Sequence, residues 1–172
     1  MARLRPARTC RSPNSQAWAR YSIKKPRKNY VRALPHTSLL VFNMGVQKED
    51  YDMDIAFSPT QDIQLRSNAI EAARLTTNKY LENELPQAYS FKILVYPHNV
   101  IREHKMATGA GADRLSKGMT QSFGRPVSIA ARIKKGQALF RIKTYRHNRR
   151  KVVEALRRAN SKLSGSFSIT TA

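Results

Sequence analysis

The residues best suited to chemistry lie between 97 and 126, in the stretch PHNVIREHKMATGAGADRLSKGMTQSFGRP. His98, Glu103, His104 and Asp113 supply its imidazoles and carboxylates. A His104–Glu103 acid and base pair would be the requirement of an RNA-processing enzyme. No nucleophile held by a base is evident around them, and a single glutamate among cations reads more simply as an ion-pair partner. The four histidines (His36, His98, His104, His147) are scattered. His98 and His104 stand six apart with no cysteine or second acid at ligand spacing, so neither a metal nor a cofactor is expected. Gly109-Ala110-Gly111 lacks the third glycine of a dinucleotide fingerprint, no strand runs directly into it, and no phosphate-binding P-loop pattern occurs.

The cations of the same stretch are more informative. Arg102, Lys105, Arg114, Lys117 and Arg125 are interleaved with Gly109 and Gly111, whose freedom lets backbone approach a ligand closely. Met106 and Phe123 add apolar contact. Such a segment could thread RNA, trading an ordering cost for phosphate contacts. A solvated surface loop is the plainer alternative.

The whole chain carries the same bias, unevenly. Its 172 residues have a formal net charge of +21. Residues 1–32 hold ten basic residues and no acidic one, residues 33–100 hold five and eight, and residues 101–172 hold seventeen and three. A slightly acidic middle thus separates two basic blocks. That excess calls for a polyanion, and each phosphate neutralised releases condensed counterions and makes binding salt-sensitive. No run of eighteen apolar residues exists, so no bilayer-spanning helix is expected and a membrane is not a predicted partner. One cysteine, Cys10, excludes an internal disulfide and a multi-cysteine zinc site. The Arg-rich start resembles a transit peptide in composition, but prolines at 6, 13 and 26 break any long amphipathic helix. A cytoplasmic setting is expected, with no homo-oligomer.

Residues 1–32 have no sustained apolar period and read as an extended basic arm. Its Arg3, Arg5, Arg8, Arg11, Arg20, Lys24, Lys25, Arg27, Lys28 and Arg32 are suited to phosphates. Trp18, Tyr21 and Tyr30 are suited to stacking or anchoring. Residues 33–172 read as one α+β domain. Strands are expected at Ser38–Met44, Met53–Phe57, Asp62–Arg66 and Tyr89–Tyr96, with a long loop over 97–126. Val127–Ile133 and Gln137–Lys143 read as a hairpin turning at Lys134-Lys135-Gly136. Ser67 is a plausible cap for a helix reaching Glu84, with Ala69, Ile70, Ala73, Thr77, Tyr80 and Leu81 inward. Asn148 would cap a second helix, to about Lys162, burying Val152, Val153, Leu156, Ala159 and Leu163. Gly165 would end that region, before a short strand at 166–171.

Several ordered motifs then resemble one family. They are Arg5-Pro6-Ala7-Arg8, Ile70-Glu71-Ala72-Ala73-Arg74, Tyr96-Pro97, Ala110-Gly111-Ala112-Asp113-Arg114-Leu115 and Gly118-Met119. Ser122-Phe123-Gly124-Arg125-Pro126, Arg132 with Gly136-Gln137, and Glu154-Ala155-Leu156-Arg157-Arg158-Ala159 continue the series. Together they look like the large-subunit ribosomal protein family "L-ten-e", the archaeal and eukaryotic form of bacterial L-sixteen, over nearly the whole chain. The resemblance implies an α+β fold with a mixed or antiparallel sheet, two main helices and a hammerhead-like β element. It implies partners too: large-subunit rRNA in the vicinity of 5S rRNA and the central protuberance, neighbouring ribosomal proteins, and A- and P-site tRNA. Eukaryotic members carry more cysteines and a longer tail, which favours an archaeal source.

The resulting expectation is a non-enzymatic rRNA-binding protein. The arm, with Lys134, Lys135, Arg146, Arg149 and Arg150, would dock on rRNA. Arg102, Lys105, Met106, Gly109, Gly111, Arg114, Lys117 and Arg125 would lie near tRNA. An RNA-processing enzyme and a free RNA chaperone are the rival classes.

Overall fold

Alternation of apolar and polar residues decides most of the architecture. The computed structural model describes residues 35–107, 109–116, 118–120 and 122–171. The arm at 1–32 and its cations therefore lie outside the described residues. Among the described residues eight strands run in order with three α-helices: β1 (Asn43–Gly45), β2 (Met53–Pro59), β3 (Ile63–Arg66), α1 (Ser67–Glu84), β4 (Tyr89–Ile93), β5 (Asn99–Glu103), α2 (Ala112–Leu115), β6 (Arg125–Ile133), β7 (Phe140–Thr144), α3 (Arg149–Asn160) and β8 (Phe167–Thr171). The class is α+β with antiparallel pairing throughout, as expected.

The strands form two sheets. A five-stranded sheet has the order β1-β4-β7-β2-β8, and a three-stranded sheet has the order β3-β6-β5. In the larger sheet, Met53, Ile55 and Phe57 of β2, Tyr89, Phe91 and Ile93 of β4, and Phe140 and Ile142 of β7 are buried at every second position. One face therefore points inward. Ile70, Ala73 and Leu81 of α1 and Val152, Ala155, Leu156 and Ala159 of α3 belong to the same core, as do Ile63, Leu65, Ala131 and Ile133 of the smaller sheet. Phe140 sits at its centre, edge-on to Phe91 with centroids 5.1 Å apart and stacked with Phe57 at 5.9 Å. The two long helices pack on each other. Arg158 lies 4.2 Å over the Tyr80 ring, and Lys151 Nζ reaches the Glu84 carboxylate at 3.3 Å.

Five local expectations need correction, one of them Asn148, which stands at the N-cap position of α3 but makes no side-chain cap bond. Ser67 opens α1 from inside: Arg66 occupies the cap position and no side chain caps the first turn. Of Ser38–Met44 only Asn43 and Met44 enter the three-residue strand β1, because Leu40 and Val41 are exposed and make no ladder. Lys134-Lys135-Gly136 is a true turn, with Gly136 at φ +77° and Gln137 N–H donating to the Lys134 carbonyl at 3.0 Å. It does not close a hairpin, however. β6 pairs with β3 and β5, while β7 pairs with β4 and β2, so the chain changes sheet at this turn. Finally, 97–126 is not one long loop, since Asn99–Glu103 pairs with Arg125–Ala130.

Candidate nucleic-acid interface

The pairing of β5 with β6 makes a neck, and residues 104–124 leave the smaller sheet through it. The neck is built from polar groups on an otherwise buried sheet. Gln64, Asn99 and Arg132 fall on adjacent strands, and Asn99 Nδ2 donates to Gln64 Oε1 at 2.7 Å while Arg132 Nη2 donates to Asn99 Oδ1 at 3.1 Å. Gln64 and Asn99 are fully buried, so this chain of bonds fixes the register where apolar patterning is silent. Burial pulls the Arg66 guanidinium below its ordinary pKa, and the Glu103 carboxylate nearby acts in the opposite direction.

At the mouth of the neck the ladder shifts register between Ile101 and Arg102. Arg102 is half-buried there. Its Nη1 donates to the Gly124 carbonyl at 2.7 Å, and its guanidinium lies 4.2 Å over the Phe123 ring. Arg102 thus ties the outgoing limb to the returning one. Gly124 is buried because the limbs touch: a Cβ there would lie 2.4 Å from the Glu103 carbonyl carbon and 2.6 Å from His104 N. Beyond the neck, His104 Nε2 lies 2.9 Å from the Gly118 carbonyl. A carbonyl can only accept, so Nε2 is the donor in this contact and ties the outgoing limb to Gly118. Among the described residues no cluster of three or more potential metal ligands occurs.

The excursion encloses an open cleft of about 720 Å³, lined among others by His104, Lys105, Leu115, Phe123 and Arg125. Lys105 and Arg125 are exposed on its lining, and Met106, Gly109, Gly111 and Arg114 are exposed elsewhere on the excursion, whereas Lys117 lies outside the described residues. Gly111 takes φ +77° immediately before α2, a conformation that glycine reaches without strain.

The second group of expected contacts lies elsewhere. Lys134 and Lys135 are exposed at the turn between the sheets, where Asp62 Oδ1 accepts the Lys135 backbone N–H at 2.8 Å. Arg146, Arg149 and Arg150 are exposed on a 3₁₀ turn and the first turn of α3. That first turn holds no acidic residue. Cations beside a helix N-terminus oppose its dipole by about 0.3–1 kcal/mol each, and an anion would remove that penalty. By contrast Arg158 is committed to Glu154 at 3.2 Å and to Tyr80.

Sequence reasoning missed three exposed cations on the larger sheet, Lys92, Arg141 and Lys143. Their signal was present: each occupies the outward position of an alternating strand.

The scaffold, the basic surfaces and the glycine-bearing excursion can be set beside known proteins. The family model described as ribosomal protein L16p/L10e matches residues 18–170. The chain belongs to that family. It is accordingly a ribosomal protein. A large ribosomal subunit protein uL16 from Methanococcus aeolicus is 43% identical over 161 residues, covering 93% of this chain and 89% of the relative. The protein of the same name from Hyperthermus butylicus is 44% identical over 138 residues, covering 80% and 77%. That of Archaeoglobus fulgidus is 37% identical over 150 residues, covering 87% and 86%. These sources are archaeal, in keeping with the resemblance read from the motifs.

Proposed function

We propose that this chain is a non-enzymatic structural constituent of the large ribosomal subunit in the cytoplasm. It binds large-subunit rRNA near 5S rRNA and the central protuberance, beside neighbouring ribosomal proteins. The observation that carries this reading is the L16p/L10e match across residues 18–170 in a chain of net charge +21. The relatives' printed name, large ribosomal subunit protein, supports the address. Among the described residues no helix is long and apolar enough to cross a membrane.

The division of labour follows from the placement of the cations. The basic arm at 1–32, together with Lys134, Lys135, Arg146, Arg149 and Arg150, neutralises rRNA phosphates and lets rRNA helices approach one another. The excursion through the neck helps form the cleft for A- and P-site tRNA near the peptidyl-transferase centre. Lys105, Arg114 and Arg125 meet tRNA backbone by charge rather than reading sequence. Arg102 serves the same end from inside, by holding the two limbs together.

Sedimentation through high-salt gradients tests the reading. Stoichiometric, salt-resistant retention on large subunits is expected, whereas a free RNA chaperone would wash off. Incubation of the purified protein with labelled RNA, with and without divalent metal, tests the enzymatic alternative, and unchanged RNA is expected.

A further inference from the structure

The outer face of the five-stranded sheet has no role in the division of labour above. Alternation along β4 continues past its last paired residue: positions 89, 91, 93, 95 and 97 are buried, while Lys92, Leu94 and Tyr96 are exposed. Leu94 N–H still bonds to the Leu139 carbonyl at 3.0 Å, which keeps this segment on the sheet. Across the sheet, Lys92 is the direct partner of Arg141, and Ser90 is the partner of Lys143 in the next outward row. Asp54, paired with Lys143 in register, gives the face one acid, 3.5 Å from Arg141 Nε.

Two features separate this face from an ordinary solvated one. Like charges directly opposite on neighbouring strands destabilise a sheet, yet Lys92 faces Arg141. Further along the same outward row stands an aromatic ring: Tyr96, four residues beyond Lys92, is 60% exposed and is held by stacking on Phe42, with centroids 5.7 Å apart and planes 24° from parallel. A braced, exposed ring several residues along the row from three cations suits a single-stranded nucleic acid lying lengthwise, with phosphates on the cations and a base further along on the aromatic platform.

We propose that this sheet face is an additional RNA-docking surface, with Lys92, Arg141 and Lys143 on the backbone of an unpaired strand and Tyr96 stacked on one of its bases. The inference rests on the ribosomal reading above, and names a surface that reading does not use.

The test has two arms. Purified full-length protein is titrated with a short oligouridylate and, separately, with polyphosphate, at several salt concentrations. Lys92→Gln combined with Lys143→Gln should reduce the log–log salt slope for the oligonucleotide by about 1.4, from about 0.7 per single-strand phosphate contact. Tyr96→Ala should weaken oligouridylate binding about 5- to 100-fold, leave polyphosphate binding unchanged, and be rescued by Tyr96→Phe. An unchanged slope and unchanged affinity would overturn the proposal. In the second arm, large subunits carrying the chain are irradiated with ultraviolet light, digested with nuclease and mapped by mass spectrometry. A nucleotide adduct at Tyr96 is expected. An adduct to a protein, or none, from subunits that do contain the chain would overturn the sheet face alone. Failure of the chain to enter subunits would instead sink the ribosomal reading.

Discussion

Replacing Gly124 with alanine should open the neck and leave the body intact. The added Cβ would stand 2.4 Å from the Glu103 carbonyl carbon, 2.6 Å from its oxygen and 2.6 Å from His104 N. Carbon contacts settle near 3.5–4 Å, so the limbs must part by about 1 Å. Neither obstacle is a flexible side-chain end; both are backbone. A shift of that size would stretch the 2.7 Å bond from Arg102 Nη1 to the Gly124 carbonyl beyond hydrogen-bonding distance. A hydrogen bond to a charged group contributes about 1.5–3 kcal/mol, and the stacking of Arg102 on Phe123 contributes about 0.5–1 kcal/mol more. Partial relaxation leaves an expected local loss of about 2–3 kcal/mol. Amide hydrogen exchange read by mass spectrometry should therefore accelerate about 30- to 150-fold in peptides covering 99–107 and 122–129. Peptides from β2 and β7 should change little. Gly136→Ala is the control: its φ of +77° makes alanine strained, but nothing lies within 4 Å, so the neck should be unaffected. Unchanged exchange at the neck in Gly124→Ala, or equal acceleration throughout the protein, would refute the reasoning.

Arg102→Ala should reproduce the neck opening, and Arg102→Lys should restore it only in part, because an ammonium cannot both reach the carbonyl and lie flat on Phe123; equal protection in the two variants would argue against the clamp. Phe140→Ala should cost about 3–5 kcal/mol in urea unfolding, a large share of the roughly 5–15 kcal/mol that holds a domain together. Tyr89, whose hydroxyl donates to Asn78 Oδ1 at 2.8 Å, has its pKa pushed up to about 12, first by burial and then by the Glu82 carboxylate. The folded value exceeds the unfolded one of about 10, so its contribution is complete below pH 10 and lost as pH rises towards 12. Alkaline melts should show that loss, and Tyr89→Phe should flatten it. Neutralising Arg149 and Arg150 should reduce the salt dependence of rRNA binding while leaving neck exchange unchanged.

What could be read in the sequence depended on whether the information was local. β2, β7 and β8 announce themselves through alternation, and α1 and α3 through apolar stripes at helical spacing, so their positions follow from residues a few places apart. β5 does not. Asn99 is buried by bonding to Gln64, thirty-five residues away, and Arg102 and Glu103 look like surface residues until their partners are known. The turn at Gly136 shows the same limit from the other side: its conformation is written in Lys134–Gln137, but the partners of β6 and β7 are not. The motifs mark the segment that leaves the smaller sheet, but not the pairing of β5 with β6 at its base. Arg102, expected near tRNA, also turns its side chain to the Gly124 carbonyl and the Phe123 ring, partners that lie too far along the chain for local pattern to show.

The pairing of β2 with β8 bears on when this protein can finish folding. Ser58 and Ser168 meet across 110 residues, and Phe57 stacks on Phe167 at 4.7 Å. At about 5–20 residues per second, a translating ribosome needs roughly 5–20 s to make the stretch between them. Throughout that interval one edge of β2 has no strand to bond, and an open edge invites foreign strands. Completion of the larger sheet therefore waits on the last part of the described chain, and the outer edge of β2 stays open until Phe167–Thr171 arrives.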